Sequence, residues 1–265
     1  MKYCRFEFRG RAEYGLVESV GGNDQITRLL VQPPEEVADL EDLPTKAVPR
    51  IPLTEAKLLI PVRPTKILCV GRNYREHAAE LGNEIPQEPL IFFKPNSSLL
   101  AHGETIRRPK ISERTDYEGE LAVIVGRRCH KLGPDADVRP FILGYTVLND
   151  FTARDLQKKD GQWWRAKGFD TFCPVGPLVN TELDPWAGVE VETRVNGEIR
   201  QHGSTRDFIF PLDVIIRHIA EVMTLLPGDV IATGTPEGVG PVVNGDVVEI
   251  RVDGVGVLRN PVADE

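Results

Sequence analysis

The sequence predicts a mainly β fold with short helices, of the α+β class, and three observations lead to this prediction. Short runs alternate apolar and polar side chains, as in residues 4–8, 116–125 and 189–195, and a period of two residues is typical of a strand. Asn196 and Gly197 separate two such runs and predict a tight hairpin turn. Clear helical spacing of apolar side chains is confined to residues 211–226.

The composition is typical of a globular protein with an acidic surface. The chain has 265 residues, a hydrophobic content of 41% and a formal net charge of −8. The negative charge argues against a nucleic-acid surface, and no apolar run reaches the length that spans a membrane. Charged residues begin at Lys2, too early for a signal peptide, so we expect a cytoplasmic protein without a nucleic-acid or membrane partner. The four cysteines are far apart, which favours reduced thiols over a disulfide or zinc framework.

The first 60 residues predict a small β-rich N-terminal domain. Alternation in residues 4–8 and several glycines indicate short strands, and the prolines between Pro33 and Pro64 indicate irregular connecting chain. We therefore place a domain boundary near residue 60, with residues 1–60 in the small domain and residues 61–265 in the main one. The pattern of the first 60 residues indicates packing or assembly rather than chemistry.

The main domain begins with an apolar strand and a helix-like segment. Residues 66–71 form an apolar run that ends at Gly71, and residues 72–82 favour a helix. In that segment His77 and Glu80 are three residues apart and so share one helix face. A single histidine in a helix is more often structural than catalytic. A neighbouring carboxylate can nevertheless orient the ring and raise its basicity, as a general base requires.

The acidic run at residues 116–125 gives the strongest indication of chemistry. Alternation places its apolar side chains on one strand face and Asp116, Glu118 and Glu120 on the other. Neighbouring carboxylates repel, so either a cation compensates their charge or they lie on a solvated sheet face. A second strand pattern ends at Asp150, where a carboxylate is well placed to complete a site. Glu118, Glu120 and Asp150 would form an all-oxygen triad, which suits a hard divalent ion such as Mg²⁺ or Mn²⁺.

Other charged residues are assigned to the surface. Lys94 ends a short strand at residues 90–94, and we interpret it as a strand-edge charge without catalytic duty. Glu190 and Glu192 repeat the Glu-x-Glu spacing, but they alternate with apolar residues before the hairpin turn. We therefore interpret this second acidic pair as the solvated face of an ordinary hairpin.

Lys167 and a glycine-rich loop are further candidates. Trp163 and Trp164 precede Lys167, and aromatic surroundings can lower the pKa of a lysine by desolvation or direct it at an anionic ligand. Ordinary packing with the ammonium group directed to water is the alternative. Residues 233–240 form a Gly- and Thr-containing loop able to present backbone amides and two hydroxyls to an anion.

These residues together resemble the fumarylacetoacetate hydrolase superfamily, and the match runs from about Lys66 to Arg259. The motifs of the resemblance are, in chain order, Gly71-Arg72-Asn73-Tyr74 with His77, Glu118-x-Glu120, Asn149-Asp150, Thr152-Ala153-Arg154-Asp155-x-Gln157, Lys167, and residues 233–240. Each motif is weak alone, but their order and spacing together are highly specific.

The resemblance implies a mixed β-sandwich roll with short helices for residues 61–265, which would then be the catalytic domain, and a homodimer. It implies Mg²⁺ or Mn²⁺ bound by the triad. Within the catalytic machinery, His77 and Glu80 match a base and its partner on a lid, and Lys167 matches a catalytic cation. The positions that match substrate contacts are Arg72, Tyr74, Arg154, Gln157 and Thr235.

The residues and the resemblance together predict a metal-dependent enzyme for small 2-oxo or 2,4-dioxo carboxylates that can enolise. The first expectation is hydrolysis of a C–C bond in an acylpyruvate. His77, oriented by Glu80, would activate water, and Lys167 would neutralise oxyanion charge. The alternatives are isomerisation of 5-carboxymethyl-2-hydroxymuconate or 2-hydroxyhepta-2,4-diene-1,7-dioate, and decarboxylation or tautomerisation of oxaloacetate. An alternative of another class is a catalytically silent module that binds anionic metabolites.

Overall fold

The computed structural model describes residues 1–80, 82 and 84–265. Its strands are β1 (Lys2–Phe8), β2 (Arg11–Val20), β3 (Asn23–Leu30), β4 (Thr45–Pro52), β5 (Leu58–Leu59), β6 (Ile67–Gly71), β7 (Leu90–Lys94), β8 (Leu99–Leu100), β9 (Ile106–Arg108), β10 (Thr115–Tyr117), β11 (Gly119–Val125), β12 (Ile142–Asn149), β13 (Thr152–Ala153), β14 (Cys173–Asn180), β15 (Glu190–Val195), β16 (Glu198–Ser204), β17 (Val230–Ala232), β18 (Gly240–Pro241), β19 (Val247–Val252) and β20 (Gly256–Asp264). The α-helices are α1 (Arg75–Glu80), α2 (Arg154–Asp160), α3 (Trp164–Lys167) and α4 (Leu212–Val222). Short 3₁₀ helices lie at Pro34–Glu36, Leu40–Asp42, Leu53–Glu55, Asn96–Ser98, Arg139–Phe141 and Thr205–Asp207.

The largest sheet has 12 strands, and it contains strands from both of the predicted domains. Its main path runs β4-β3-β2-β1-β14-β12-β11-β17-β6-β7, and β5 and β8 pair with β1 and β14. Strand β1 pairs with β14 through Lys2 opposite Asn180 and Tyr3 opposite Val179. The N-terminal strands therefore extend the same sheet that contains β11 and β12. The domain boundary near residue 60 and the homodimer stay predictions.

A second, 5-stranded sheet packs on this one and completes a sandwich. Its order is β16-β15-β19-β20-β9, and β15 and β19 contact β11. Leu121 and Val123 on one face of β11 share a buried apolar cluster with Ile250 of β19. Ala122 and Ile124 on the other face belong to a separate buried cluster. Because β11 is covered on both faces, the acidic residues at its start lie inside the protein rather than on a solvated face.

The sheets are mixed and open, which confirms the mainly β sandwich roll that the resemblance implies. Strand β17 pairs with β6 in parallel, as do β14 with β8 and β20 with β9, whereas β11 and β12 are antiparallel. A third, 3-stranded sheet, β13-β10-β18, brings the start of the acidic run close to α2. The few helices are short, so the β-rich prediction is correct.

Local predictions from turn and helix patterns are also confirmed. Asn196 and Gly197 have φ angles of 53° and 84°, as a type I′ hairpin turn requires, and join β15 to β16. Helix α4 lies within the predicted residues 211–226 and buries one apolar stripe against the core. The helix predicted over residues 72–82 is present as α1, and Leu81 lies outside the described residues. No helix of the part of the chain that the structure describes is long and apolar enough to cross a membrane.

A buried aspartate connects the turn after α4 to the start of β6. The fully buried carboxylate of Asp229 accepts hydrogen bonds from the backbone of Thr65, Lys66 and Leu226 and from the hydroxyl of Thr65, and it forms an ion pair with Lys66. Removing this acceptor would leave several donors without a partner inside the protein.

We therefore predict that Asp229→Ala lowers the free energy of unfolding by about 3–5 kcal/mol, the usual effect of breaking a buried ion pair. Denaturant unfolding monitored by circular dichroism provides the measurement. The exposed pair of Asp253 with Arg251 is the control, and Asp253→Ala should leave stability almost unchanged. Equal stabilities of the two variants would contradict the importance of the Asp229 contacts.

Candidate active site

Most of the predicted site residues line one cavity of about 390 Å³. Those that line it are Arg72, His77, Glu80, Glu118, Glu120, Asp150, Arg154, Gln157, Lys167 and Thr235. They come from sequence positions as far apart as α1 and the loop after β17, so the fold brings them together. Tyr74 is not among the lining residues that the structure describes. Its ring packs edge-on against Phe208, and its hydroxyl is buried without a described hydrogen-bond partner.

The antiparallel pairing of β11 and β12 brings the three acidic residues of the triad together. Glu118 lies just before β11, Glu120 lies within it, and Asp150 follows β12 directly. The register places Glu120 opposite Leu148, and the backbone N–H of Asp150 donates to the carbonyl of Glu118 at 2.9 Å. As a result, one oxygen from each carboxylate lies within 4.8 Å of the others, and all three side chains are buried.

Two buried cations neutralise Glu118. Arg154 Nη2 donates to its Oε1, and Lys167 Nζ donates to its Oε2 at 2.8 Å. Burial alone would raise the pKa of Glu118, but the charges of Lys167 and Arg154 outweigh burial and hold that pKa well below its ordinary value. Glu118 is therefore ionised inside the cavity.

Asp150 is also held by two ammonium groups, and one of them corrects a sequence prediction. Lys94 Nζ donates to Asp150 Oδ1 at 2.7 Å, and Lys167 Nζ donates to Oδ2 at 2.6 Å. Lys94 does end the edge strand β7, but its side chain is 0% exposed. The interpretation of Lys94 as no more than a strand-edge charge is therefore wrong, because its ammonium pairs with a buried carboxylate.

The negative charge of Glu120 is compensated by fewer cations than the charges of Glu118 and Asp150. One of its oxygens accepts a hydrogen bond from the Gly234 backbone N–H at 2.7 Å, and no ion pair to it is found among the described residues. Burial, followed by the nearby charges of Asp150 and Glu118, raises the pKa of Glu120 well above its ordinary value. This shortage of positive charge next to buried carboxylate oxygens fits a hard divalent cation, so the donor set is suited to a metal ion.

Lys167 is part of the charge balance of the triad rather than a surface residue. Burial would lower the pKa of Lys167, but Asp150 and Glu118 outweigh burial and raise that pKa above its ordinary value. Of the alternatives for this lysine, its ammonium is directed at anionic groups, here the carboxylates of Glu118 and Asp150. The Lys167 ammonium does lie 5.0 Å from the centre of the Phe92 ring, which packs edge-on against Trp163. Trp164 is 71% exposed.

Arg154 directs its guanidinium at protein groups. Besides Glu118, it donates from Nε to Asp116 at 2.9 Å and from Nη1 to Gln157 at 2.6 Å. Asp116 therefore does not belong to the triad, although alternation places it on the same face, because its carboxylate pairs with Arg154 and Arg114. This arrangement fixes Arg154 and Gln157 at the cavity wall, and their contact with substrate stays a prediction.

His77 and Glu80 lie side by side on α1, as the spacing of three residues predicts. His77 Nδ1 is 3.6 Å from a Glu80 carboxylate oxygen, which is longer than a hydrogen bond, and it has no other described partner. The Glu80 carboxylate accepts from the Gly238 backbone N–H at 3.2 Å and is 35% exposed. Burial lowers the pKa of His77 below its ordinary value. The negative charge of Glu118 opposes this effect, and the positive charge of Arg154 adds to it. The lowered pKa favours the neutral imidazole, which has a nitrogen able to take up a proton.

The loop at residues 233–240 binds acidic and carbonyl groups of the chain itself. Its amides at Gly234 and Gly238 donate to Glu120 and Glu80. The Thr235 hydroxyl donates to the Gly119 carbonyl at 2.9 Å and accepts from Gln201 at 2.8 Å. The sequence predicts that this loop can bind an anion, and two of its amides bind carboxylates of the protein itself.

Arg72 and the second acidic pair complete the predicted positions. Arg72 has a φ of 57°, a left-handed conformation that is uncommon outside glycine, and it lines the cavity directly after β6. Glu190 and Glu192 lie on β15 away from the triad and pair with His202 and Arg194. Their assignment outside the metal site agrees with this geometry.

Comparisons with known proteins show which proteins this chain is similar to. A family model described as "Fumarylacetoacetate (FAA) hydrolase C-terminal" matches residues 66–263. A mitochondrial oxaloacetate tautomerase of Arabidopsis thaliana is 45% identical over 201 residues, which are 74% of this chain and 89% of that protein. An oxaloacetate tautomerase of Bacillus subtilis is 41% identical over 224 residues, covering 79% of this chain and 74% of that protein. The crystal structure of 5-carboxymethyl-2-hydroxymuconate delta-isomerase from Mycobacterium smegmatis matches with a TM-score of 0.89, 40% identity and 100% coverage of both chains.

Glu120 offers the sharpest test of the metal site. We predict that Glu120→Gln weakens the binding of Mn²⁺ to chelator-treated protein by at least about ten-fold, because the substitution keeps the shape but removes the charge with the least internal compensation. Isothermal titration calorimetry provides the measurement. Glu192→Gln is the matched control and should bind Mn²⁺ like the wild type. Unchanged affinity in Glu120→Gln would exclude Glu120 as a ligand.

Proposed function

The chain belongs to the fumarylacetoacetate hydrolase family, and on that premise we propose that it is a metal-dependent enzyme that interconverts the keto and enol forms of small 2-oxo carboxylates. One observation supports this proposal above the others. A single cavity of about 390 Å³ contains an acidic triad suited to a hard ion, a buried neutral histidine and a buried lysine. These are the groups that proton transfer next to a 2-oxo group requires.

The names of two relatives and of one similar solved structure support proton transfer. The two relatives that are 45% and 41% identical to this chain are named oxaloacetate tautomerases. A similar solved structure is named a hydroxymuconate isomerase. Both names describe reactions in which protons move beside a 2-oxo or 2-hydroxy-alkenoate carboxylate. Oxaloacetate is therefore the first substrate to test for this chain.

Glu118, Glu120 and Asp150 would bind the ion, and their oxygen ligands favour Mg²⁺ or Mn²⁺. When bound there, the ion supplies Lewis-acid polarisation of the 2-oxo carbonyl and charge that stabilises an enolate. The chain itself places the base and the lysine at the same cavity. Thr235 also lines this cavity, and its hydrogen bonds to Gly119 and Gln201 fix its side chain.

His77 is the proposed base and acid. Its lowered pKa favours the neutral imidazole, so it can take a proton from the enol hydroxyl or from the carbon next to the carbonyl, and the imidazolium then delivers a proton to the other of these two atoms. Glu80, at 3.6 Å, stabilises the imidazolium that forms in between.

Lys167 is the proposed source of positive charge for the developing enolate. Its raised pKa keeps the ammonium charged, and its contacts with Glu118 and Asp150 place it next to the triad. A buried cation close to the reacting oxygen stabilises charge more strongly than one in water. Gln157 and Arg72 line the same cavity and are the proposed contacts for the remaining polar groups of the substrate.

Hydrolysis of an acylpyruvate is the second candidate. The observation that favours it is the position of Glu80, which is partly exposed beside the buried His77, so that water can approach the base. In this reaction His77 would deprotonate a water that attacks the C4 carbonyl, and the C3–C4 bond would break to give a carboxylic acid and pyruvate.

A substrate panel separates the candidates. Purified protein with Mg²⁺ is mixed with enolic oxaloacetate, a 2-hydroxy-alkadienedioate and an acylpyruvate, and enol absorbance and pyruvate release are followed against buffer alone. We expect loss of the oxaloacetate enol without pyruvate formation. Pyruvate release from the acylpyruvate as the fastest reaction would favour hydrolysis instead. Binding of these acids without turnover would indicate a silent binding module.

We predict that His77→Ala lowers turnover by about 10²–10⁴, the usual effect of removing a general base, while Mn²⁺ affinity stays close to that of the wild type. Because burial lowers the pKa of His77, the acidic limb of kcat/KM in the wild type should lie at lower pH than the ordinary titration of histidine and be absent in the variant. Loss of metal binding together with activity would instead make His77 a metal ligand.

For Lys167 we predict that Lys167→Met lowers kcat by about 10²–10³, since charge at the substrate oxygen is larger in the transition state than in the ground state. Steady-state kinetics on oxaloacetate provides the measurement, and binding of oxalate should weaken less than kcat. Lys110→Met is the control, because Lys110 is exposed and outside the cavity. Equal and small effects of both substitutions would contradict a catalytic Lys167.

A further inference from the structure

Helix α2 presents one of its faces to the cavity. Arg154, Gln157 and Lys158 all line the cavity, and their spacing of three and four residues places them on the same side of the helix. The next residue, Lys159, is not among the lining residues that the structure describes. Lys158 is therefore part of the cavity wall, whereas its neighbour of the same residue type is not.

The arginine and lysine side chains that line the cavity differ in what neutralises them. Arg154 and Lys167 are 3% and 2% exposed, and both pair with the Glu118 carboxylate. Arg72 is half-buried and Lys158 is exposed, and no described residue forms an ion pair or a side-chain hydrogen bond with either of them. The cavity therefore has an inner pair of cations that the protein itself neutralises and an outer pair that it does not.

Like charges one turn apart on α2 make the outer charge more pronounced. Arg154 and Lys158 are four residues apart, a spacing at which two positive charges on a helix repel. The Arg154 guanidinium is directed at Asp116 and Glu118, and no described carboxylate is directed at Lys158 in the same way. An anion that enters the cavity next to Lys158 would relieve this repulsion.

Arg72 lies on an element that packs closely against the region of α2. It follows β6 directly, and a side-chain carbon added at Gly71 would lie 3.0 Å from the ring of Trp163, in the segment that joins α2 to α3. Trp163 lines the cavity together with Arg72 and Lys158. Two cations without a described partner therefore lie on neighbouring elements around one cavity.

We propose that Lys158 and Arg72 bind a second carboxylate of the substrate, so that the site selects 2-oxo acids with two carboxylates over those with one. This inference rests on the proposed function and deepens it, because it names the substrate class. In the proposed reaction the 2-oxo carboxylate lies next to the triad, where Arg154 and Lys167 are already paired with the protein. The other end of a diacid finds its counter-charge at Lys158 and Arg72, and a neutral end lacks this attraction.

The test compares oxaloacetate with its 4-methyl ester, which keeps the 2-oxo acid and removes the second negative charge. Enol-to-keto conversion of both is measured with full-length protein and Mg²⁺. We expect the wild type to have the lower KM for the diacid. Lys158→Met should raise this KM about three- to five-fold, the scale of an exposed ion pair, with a smaller effect on kcat. The KM for the ester should stay unchanged.

A double variant and a change of salt concentration test the same charges. Lys158→Met combined with Arg72→Met should raise the KM for oxaloacetate further than Lys158→Met alone. Because salt screens exposed charges, added NaCl should raise the KM for oxaloacetate in the wild type more than in the double variant.

Lys159→Met is the matched control for Lys158→Met. Lys159 is the next residue, is also exposed and also lies in the last turn of α2, where both lysines interact favourably with the helix C-terminus. A change in helix stability alone would therefore affect both variants. The KM values of Lys159→Met for the diacid and the ester should match those of the wild type.

The outcomes separate this inference from the proposed function. Equal KM values of the wild type for the diacid and the ester, or an unchanged KM for oxaloacetate in Lys158→Met, would overturn the role of Lys158 and leave the proposed function intact. Equal effects of Lys158→Met and Lys159→Met would also overturn it. A wild-type protein that converts neither compound would instead overturn the proposed function, and this inference with it.

Discussion

The structure depends on the neutralisation of three buried carboxylates that lie within 4.8 Å of one another. Burial removes the water that would otherwise stabilise their charges, so buried cations or protons must take its place. Glu118 and Asp150 receive this compensation from lysine and arginine side chains, and Glu120 receives mainly a backbone N–H. The raised pKa of Glu120 results from this uneven distribution. In the proposed function, a divalent ion completes the charge balance and makes the same carboxylates useful for catalysis.

The sandwich is arranged so that cations reach the triad from separate elements. Lys94 comes from the edge strand β7, Arg154 from α2 and Lys167 from α3, whereas Glu118 lies between β10 and β11. These positions are brought together only when β11 pairs with β12 and the second sheet covers it. The 3-stranded sheet adds Asp116, which holds Arg154 in place. The site therefore requires the pairing of strands that are far apart in the sequence.

The sequence was sufficient to predict the triad because alternation along one strand and a carboxylate at the end of another are local patterns. The spacing of His77 and Glu80 was equally local and correctly placed them side by side. Lys94 could not be recognised in this way, since a lysine that ends a short strand has the same pattern whether it faces water or a buried aspartate. Asp116 was grouped with the acidic face for the same reason. Its pairing with Arg154 joins positions 38 residues apart and is visible only in three dimensions.

The most direct test of the account is the rate of enol-to-keto conversion of oxaloacetate by one protein sample, measured before chelation, after removal of divalent ions, and after addition of Mg²⁺ or Mn²⁺. The account predicts that catalysis is lost on chelation and restored by either ion, while circular dichroism shows that the protein stays folded throughout. Full catalysis by metal-free, folded protein would contradict it, because the acidic triad would then have no part in the reaction.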